Sequence, residues 1–86
     1  MQQYYVYLMA STKNGTLYRG VTNALEKRVW EHKNDQYGGF TKRYSIHTLV
    51  YYEIHGTAYE AIQREKRLKK WKRDWKIDLI NKANPN

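Results

Sequence analysis

Apolar residues are concentrated in three stretches of this chain, each short and bounded by polar or turn-forming residues, a pattern typical of β-strands. The stretches are residues 3–10, 16–22 and 47–54. Each is rich in aromatic and β-branched side chains, which favour strands over helices. The sequence therefore predicts three strands, of which the first two are close neighbours along the chain.

The residues between the first two strands have turn chemistry. Residues 11–15 read STKNG, and Asn14-Gly15 is a strong signal for a hairpin. A hairpin of this kind can place Tyr7 and Tyr18 on one face of the sheet. We expect the second strand to turn at Gly20, because glycine meets the backbone requirement of a turn.

A helix is predicted directly after this hairpin. Asn23 is a good N-cap, and Glu26, three residues later, can complete a capping box. Arg28 and His32 are four residues apart and so lie side by side on the helix. Residues 34–39 end this helix and open a flexible basic loop that runs through residue 43.

A second helical region begins after Thr57, which is a suitable N-cap. Its apolar positions recur every three or four residues, so they form one stripe. The pattern leaves open whether residues 58–80 form one helix or two with a bend near residues 70–74. The stripe consists of Ala58, Ala61, Ile62, Leu68, Trp71, Trp75 and Leu79.

The stripe has one gap, a position where an apolar residue is expected but missing, and Glu65 occupies it. A buried charge left without a partner costs about 3–5 kcal/mol, whereas a surface pair with Lys69 returns only about 0.2–0.5 kcal/mol. We therefore expect a strong partner for Glu65, either a metal ion or a cation such as Arg28. The alternative is a half-exposed glutamate at the polar edge of the stripe.

The composition narrows the class of protein. At 86 residues the chain is expected to be one small domain, residues 1–82, with a frayed tail at 83–86. The absence of cysteine excludes disulfides, thiolate zinc sites and cysteine nucleophiles. No apolar run is long enough for a membrane span and no leader segment is recognisable, so we expect a soluble, cytoplasmic monomer with no membrane partner.

The charge points to a polyanionic partner. Sixteen Lys and Arg residues against eight Asp and Glu residues give a net charge of +8. The segment from Glu60 to Lys76 holds eight basic and three acidic residues, and thus five of these eight net charges. Nucleic acid is the expected partner of such a domain. The alternative is a solvated helix face that only keeps the protein soluble.

The same residues carry a resemblance to a known family. Tyr5-Val6-Tyr7 and Tyr18-Arg19-Gly20 resemble the two signature triplets of the GIY-YIG endonuclease superfamily, in particular its small, stand-alone, YhbQ-like bacterial members. The first triplet lacks the family's Gly and Ile, and Arg19 stands in place of the second Ile. Arg28 and His32 match the family's Arg-x-x-x-His helix, and Glu65 matches its metal-binding glutamate.

The resemblance implies an α+β fold, with a three-stranded antiparallel sheet flanked by helices in the order β-β-α-β-α, with one more helix at the end if residues 58–80 form two. It also implies a metal-dependent endonuclease that hydrolyses DNA, in repair or recombination. In that role Arg28 would stabilise charge on the phosphate. Glu65 would hold one Mg²⁺ or Mn²⁺ ion. Tyr7 or Tyr18 would orient the attacking water, and His32 would accept a proton.

Each of these assignments has a structural alternative. The two tyrosines could be core residues of the strands, Arg28 a surface residue and His32 a packing residue. The second function class is a basic nucleic-acid-binding module without cleavage. In either class the partner is expected to be DNA rather than RNA, and the residues expected to contact it are Arg19, Lys33, Lys42, Arg43, Lys69, Lys72 and Arg73.

Overall fold

A computed structural model describes residues 2–11, 15–36 and 39–84 of the chain. Over these residues it has the predicted α+β fold, with one short helix more than the sequence predicts. The strands are β1 (Tyr4–Ser11), β2 (Leu17–Thr22) and β3 (Ile46–His55), and the helices are α1 (Leu25–Lys33), α2 (Gly39–Arg43), α3 (Ala58–Lys70) and α4 (Arg73–Ala83).

The three strands form one antiparallel sheet in the order β2-β1-β3. Because β1 lies in the middle, its side chains from Val6 to Ser11 are buried on both faces. One face carries a cluster of Tyr7, Met9 and Ile46, against which α1 packs. The other face carries a separate cluster centred on Val6, Ala61 and Leu68, to which α3 contributes. The sheet therefore separates two small cores.

Gly20 is required for a different reason from the one the sequence suggests. It lies inside β2, opposite Tyr7 on β1, and is not at a turn. The Tyr7 ring lies directly over it, so that a Cβ atom at position 20 would be 2.6 Å from the Tyr7 Cζ and closer still to the hydroxyl oxygen. The prediction of a backbone requirement at Gly20 is thus wrong, and the requirement is for space.

The cap of α1 also differs from the prediction. The N-cap residue is Ala24 and no side chain caps the helix, so the predicted N-cap at Asn23 is wrong. The hydroxyl of Thr22 instead accepts a hydrogen bond of 3.0 Å from the backbone N–H of Ala24. This short turn at the end of β2 shifts the start of the helix by one residue.

The segment predicted as a basic loop through residue 43 contains α2, a single turn of helix that begins at Gly39 with a φ of 56°. The region from residue 58 is two helices, which settles the alternative that the sequence left open. Trp71 and Lys72 have extended backbones between α3 and α4, with ψ values of 145° and 152°. The predicted cap at Thr57 is confirmed, since its side chain accepts a hydrogen bond from the N–H of Glu60 at 3.1 Å.

Some predicted features lie outside the described residues. These are the hairpin residue Asn14 and residues 37–38 of the segment after α1. In the tail expected to fray at 83–86, α4 continues to Ala83, and the side-chain amide of Asn84 donates to the carbonyl of Val50 at 2.8 Å. No helix within the described ranges is long and apolar enough to cross a membrane.

We expect Gly20→Ala to lower the free energy of unfolding by about 1–3 kcal/mol, the range found for an extra methyl group forced into a packed site. The methyl group would collide with the buried Tyr7 ring, which has no free space in which to move. Urea denaturation followed by far-ultraviolet circular dichroism measures the change.

Gly56→Ala is the matched control for this substitution. A Cβ atom at Gly56 would meet no atom within 4 Å, so its stability should stay within about 0.5 kcal/mol of the wild type. Equal stability of the two variants would show that the protein tolerates a Cβ atom at position 20 and that the Tyr7 ring does not need a glycine there.

Candidate active site

Three rings meet on the face of the sheet that α1 covers. The Tyr7 hydroxyl and the Nε2 atom of His32 form a buried hydrogen bond of 3.2 Å. The ring centroid of Tyr18 lies 5.3 Å from that of His32 and 6.5 Å from that of Tyr7. Tyr7 and His32 are each 1% exposed, whereas Tyr18 is half-buried. The two tyrosines and the histidine named by the sequence thus form one cluster.

The register of the hairpin and the period of α1 explain this meeting. Tyr7 pairs with Gly20 and Met9 pairs with Tyr18, so both tyrosines point to the same face. On α1, Leu25 and Val29 pack against this face. His32 follows at the next position of the same helical stripe and is carried down onto the Tyr7 hydroxyl.

Arg28 lies beside the Tyr7 hydroxyl and forms a side-chain hydrogen bond with it. Its Nε atom is also 3.3 Å from a carboxylate oxygen of Glu31, three residues later on α1. The guanidinium is half-buried, so one side of it faces solvent. Arg28 therefore belongs to the ring cluster, as the helical spacing predicts.

Burial fixes the protonation states in this cluster. It raises the pKa of Tyr7, an effect that the charge of Tyr18 reinforces and that Arg28 partly offsets. Burial also lowers the pKa of His32, and the positive charge of Arg28 lowers it further, with Glu31 acting in the opposite direction. At neutral pH the cluster therefore holds a protonated phenol beside a neutral imidazole.

Glu65 is not part of this cluster. It lies on α3, and its Oε2 atom is 2.8 Å from the Nε atom of Arg19. The expectation of a cationic partner is confirmed, but the partner is Arg19, and the suggestion of Arg28 is wrong. With 24% of its side chain exposed, Glu65 also lies at the edge of the core, as the alternative reading of its stripe proposed.

The ring cluster and the Glu65–Arg19 pair lie on opposite faces of the sheet but at the same edge. Arg19 pairs with Leu8 and therefore points away from the face that carries Tyr18. Yet Tyr18 and Arg19 are consecutive residues of β2, and β2 is an outer strand of the sheet. A ligand that wraps around this edge could meet both.

The chemistry around Glu65 can be compared with what a divalent cation needs. Mg²⁺ commonly uses one or two carboxylates and completes its shell with water and substrate phosphates. Within the described part of the chain, no group of three or more His, Asp or Glu side chains could hold a metal ion together. A half-exposed single carboxylate fits a hydrated ion of this kind, on the condition that Arg19 gives way.

A second ion pair fixes the helix that carries Glu65. Arg64 donates from both Nε and Nη2 to Glu53 on β3, at 2.8–3.0 Å, and its guanidinium stacks on the Trp71 ring at 5.0 Å. Burial alone would raise the pKa of Glu53, but the hydrogen bonds from Arg64, Tyr51 and His55 lower it overall. This network ties α3 to the sheet.

The basic residues named by the sequence lie in different surroundings. Arg19 is half-buried beside Glu65, and Arg73 donates to the carbonyl of Gly15 at 2.7 Å. The remaining five are exposed at the end of α1, on α2 and around the α3–α4 junction: Lys33, Lys42, Arg43, Lys69 and Lys72.

Sequence reasoning missed two residues of these sites. Glu31 holds Arg28, and the three-residue spacing between them could have indicated it. Lys76 has a pKa that is lowered by burial and then by the charges of Arg19 and Arg73, so it lies near both. No local signal connects Lys76 on α4 with β2.

We expect the stability of the protein to fall as the pH drops below about 6.5, the ordinary pKa of histidine. His32 is buried neutral, so below that pH the unfolded chain binds a proton that the folded chain does not, which favours unfolding. One such group changes the free energy of unfolding by at most about 1.4 kcal/mol per pH unit. Urea denaturation between pH 5 and 7.5 measures it.

The matched variants are His32→Gln and His55→Gln. His32→Gln should flatten this dependence on pH, whereas His55→Gln keeps the buried histidine and should retain it. The same slope in His32→Gln and the wild type would contradict a neutral, buried His32.

Comparisons with known proteins identify the family that this chain is similar to. Residues 3–78 match the family model of the GIY-YIG catalytic domain. The chain is 37% identical to a UPF0213 protein of Staphylococcus saprophyticus over 96% of this chain and 100% of that protein. It is 39% identical to a UPF0213 protein of Clostridium perfringens over 90% of this chain and 82% of that protein.

A solved structure has the same fold. The solution NMR structure of the UPF0213 protein BH0048 from Bacillus halodurans superimposes with a TM-score of 0.58 and 25% sequence identity. The match covers 92% of this chain and 83% of that one. The similarity therefore extends over nearly the whole chain in both sequence and structure.

Proposed function

The chain belongs to the GIY-YIG family, a family of nucleases that are generally metal-dependent, and from this premise we propose that it is an endonuclease that hydrolyses phosphodiester bonds in DNA. The observation that carries the proposal is the ring cluster of Tyr7, Tyr18 and His32 with Arg28 beside it. A buried phenol, a neutral imidazole and a guanidinium at one surface are groups that can handle a proton and a phosphate.

The tyrosines have different tasks in this proposal. Tyr7 is buried, and its hydroxyl donates to Nε2 of the neutral His32, so this pair forms the floor of the site. Tyr18 is half-buried and is the phenol that solvent can reach, so Tyr18 orients the attacking water. The hydroxyl oxygen of Tyr18 accepts a hydrogen bond from the water and so fixes its position.

Arg28 stabilises the phosphate as negative charge builds on its oxygens. Its guanidinium is half-buried and held by Glu31, so it is oriented before the substrate arrives. A donor fixed in this way in a site of low polarity acts more strongly than one in water. Burial lowers the pKa of His32, so its imidazole is neutral at neutral pH. In the tautomer that carries its proton on Nδ1, Nε2 accepts the hydrogen bond of the Tyr7 hydroxyl and can take up the Tyr7 proton as Tyr7 receives the one that the attacking water loses.

Glu65 would hold one Mg²⁺ or Mn²⁺ ion at the β2 edge, beside Arg19, which follows Tyr18 along the strand. When bound, such an ion supplies neutralisation of the phosphate and stabilisation of the departing 3′ oxygen. Glu65 contributes the carboxylate, and Arg19 must give way at its Oε2 atom. A DNA strand that wraps around this edge would touch Arg28 and Tyr18 on one face and Glu65 on the other.

We expect nicking of DNA that needs Mg²⁺ or Mn²⁺ and stops with chelator. Supercoiled, branched and single-stranded substrates should be compared on gels. Arg28→Ala should lose about 10²–10³-fold in rate, as other enzymes do when one fixed electrostatic donor is removed. Glu65→Ala and Tyr18→Phe should also lose nicking.

Two exposed residues of α3 supply matched controls. Tyr59 is 73% exposed, and Tyr59→Phe removes only its hydroxyl group. Glu60→Ala removes a carboxylate from the first turn of α3. Both should nick DNA at the wild-type rate. Unchanged nicking in Arg28→Ala or Tyr18→Phe would show that the ring cluster takes no part in the hydrolysis.

The alternative function is a nucleic-acid-binding module that does not cleave. The observation in its favour is that Glu65 is ion-paired with Arg19 on the face of the sheet away from the tyrosines. Binding of DNA without nicking of any substrate, in the wild type and all variants, would support this alternative.

Binding to DNA should weaken steeply with salt in either case. If the basic segment after Glu60 makes the contact, a plot of log affinity against log salt should have a slope of roughly −4 to −5, at about −0.9 per phosphate neutralised. Replacing Lys69 and Lys72 together by glutamine should make it less steep by about 1.8, and Lys82→Gln serves as the control. Fluorescence anisotropy measures the affinities. A slope near zero would show that the segment after Glu60 does not contact DNA and is only a solvated helix face.

A further inference from the structure

The Glu65 carboxylate is held in a way that bears on how it could take up a metal ion. Its partner Arg19 is the middle residue of the second triplet, and both side chains are about a quarter exposed. The Nε atom of Arg19 is buried, and its N–H is not aligned for a hydrogen bond to any atom of the described residues. The contact of 2.8 Å is therefore an attraction between charges rather than a directed bond, and such a contact is exchangeable.

Two further cations lie on the Arg19 side of this pair. Lys76 on α4 feels the charges of both Arg19 and Arg73. Arg73 is fixed in place by its hydrogen bond to the carbonyl of Gly15, at the start of the hairpin's second arm. Arg73 and Lys76 belong to the first turn of α4, where positive side chains oppose the helix dipole, so the stability of the helix does not account for them.

This distribution of charge disfavours a metal ion that arrives alone. A divalent cation would have to displace Arg19 from Glu65 and remain close to the positive charge of Arg19, near which Lys76 adds a second one. A phosphodiester has the opposite effect, because its negative charge attracts the guanidinium of Arg19 and partly cancels the repulsion. Guanidinium groups bind phosphate with two parallel hydrogen bonds, which the single contact with Glu65 does not provide.

We propose that Arg19 is an exchangeable counter-cation of Glu65: it holds the carboxylate until a DNA phosphate draws the guanidinium away, and only then does Glu65 bind a divalent cation. The inference rests on the proposed function in one respect, namely that Glu65 is the metal-binding residue. It adds a residue and an order of events, since the substrate opens the metal site.

The proposal requires metal and DNA to bind with positive coupling. Coupling between two ligands is reciprocal, so DNA must raise the affinity for metal by the same factor by which metal raises the affinity for DNA. Couplings of this type are commonly about 5- to 150-fold. Without Arg19 the carboxylate is open from the start, and the part of the coupling that Arg19 causes disappears.

Binding of Mn²⁺ can be measured directly by electron paramagnetic resonance, because free Mn²⁺ gives a signal that bound Mn²⁺ loses. We would titrate four proteins with Mn²⁺: the wild type, Arg19→Ile, Arg19→Lys and Arg67→Leu. Each titration is done with and without a short DNA duplex, and gels check that the duplex has not been cleaved. Arg67→Leu is the matched control, because it removes the same charge from an exposed position of α3. Thermal melting of each protein reports whether it is folded.

The expected result for the wild type and for Arg67→Leu is weak binding of Mn²⁺ that the duplex strengthens at least fivefold. Arg19→Ile should bind Mn²⁺ at least fivefold more tightly than the wild type without DNA and should gain little from the duplex. Arg19→Lys, which keeps the charge, should lie between them. Adding Glu65→Gln to Arg19→Ile should abolish the tight binding.

Three results would overturn the proposal. They are equal affinities of the wild type and Arg19→Ile for Mn²⁺, no binding of Mn²⁺ by either protein with or without DNA, and tight binding that survives Glu65→Gln. These readouts do not depend on cleavage. Nicking without this coupling would retain the endonuclease and reject the role of Arg19, whereas coupling without nicking would retain Arg19 and reject the hydrolysis.

Discussion

The close approach of the Tyr7 ring to the backbone at Gly20 is the constraint on which the rest of the site depends. It needs a strand pair in this register and a residue without a Cβ atom opposite the tyrosine. Once the ring lies flat over β2, its hydroxyl is directed to one point under α1, where His32 meets it. A shift of one residue in the register would send the phenol to the other core, because alternate side chains point to opposite faces.

The sheet divides the chemistry of this protein between two faces. On the α1 face, burial and the nearby charge of Arg28 set the protonation of the phenol and the imidazole. On the α3 face, the chemistry is that of charges: each glutamate of the sheet–helix layer is held by an arginine, Glu53 by Arg64 and Glu65 by Arg19. The two pairs differ in geometry. Arg64 donates three hydrogen bonds to Glu53, whereas Arg19 makes one contact with Glu65 that lacks such alignment.

This difference separates a structural ion pair from one that is suited to function. The bidentate pair of Glu53 with Arg64 is covered by Trp71, and its role is to hold α3 against β3. The pair of Glu65 with Arg19 lies at the outer strand, where solvent and a ligand can reach it. The Glu65 carboxylate contacts Arg19, which is the neighbour of the half-buried Tyr18 in β2, so the ion pair and Tyr18 lie at the same edge of the sheet.

The local pattern of the sequence was enough to predict the strands, the main helices and the side-by-side placement of Arg28 and His32. The cost of burying a charge was enough to predict that Glu65 needs a partner. The sequence did not determine the partner of Glu65 or the reason for Gly20. Those depend on which residues of distant segments come opposite each other, and the register and the crossing of α3 over the sheet decide that. The tertiary structure alone placed Arg19 on Glu65 and the Tyr7 ring on Gly20, since local spacing contains no information about contacts across strands.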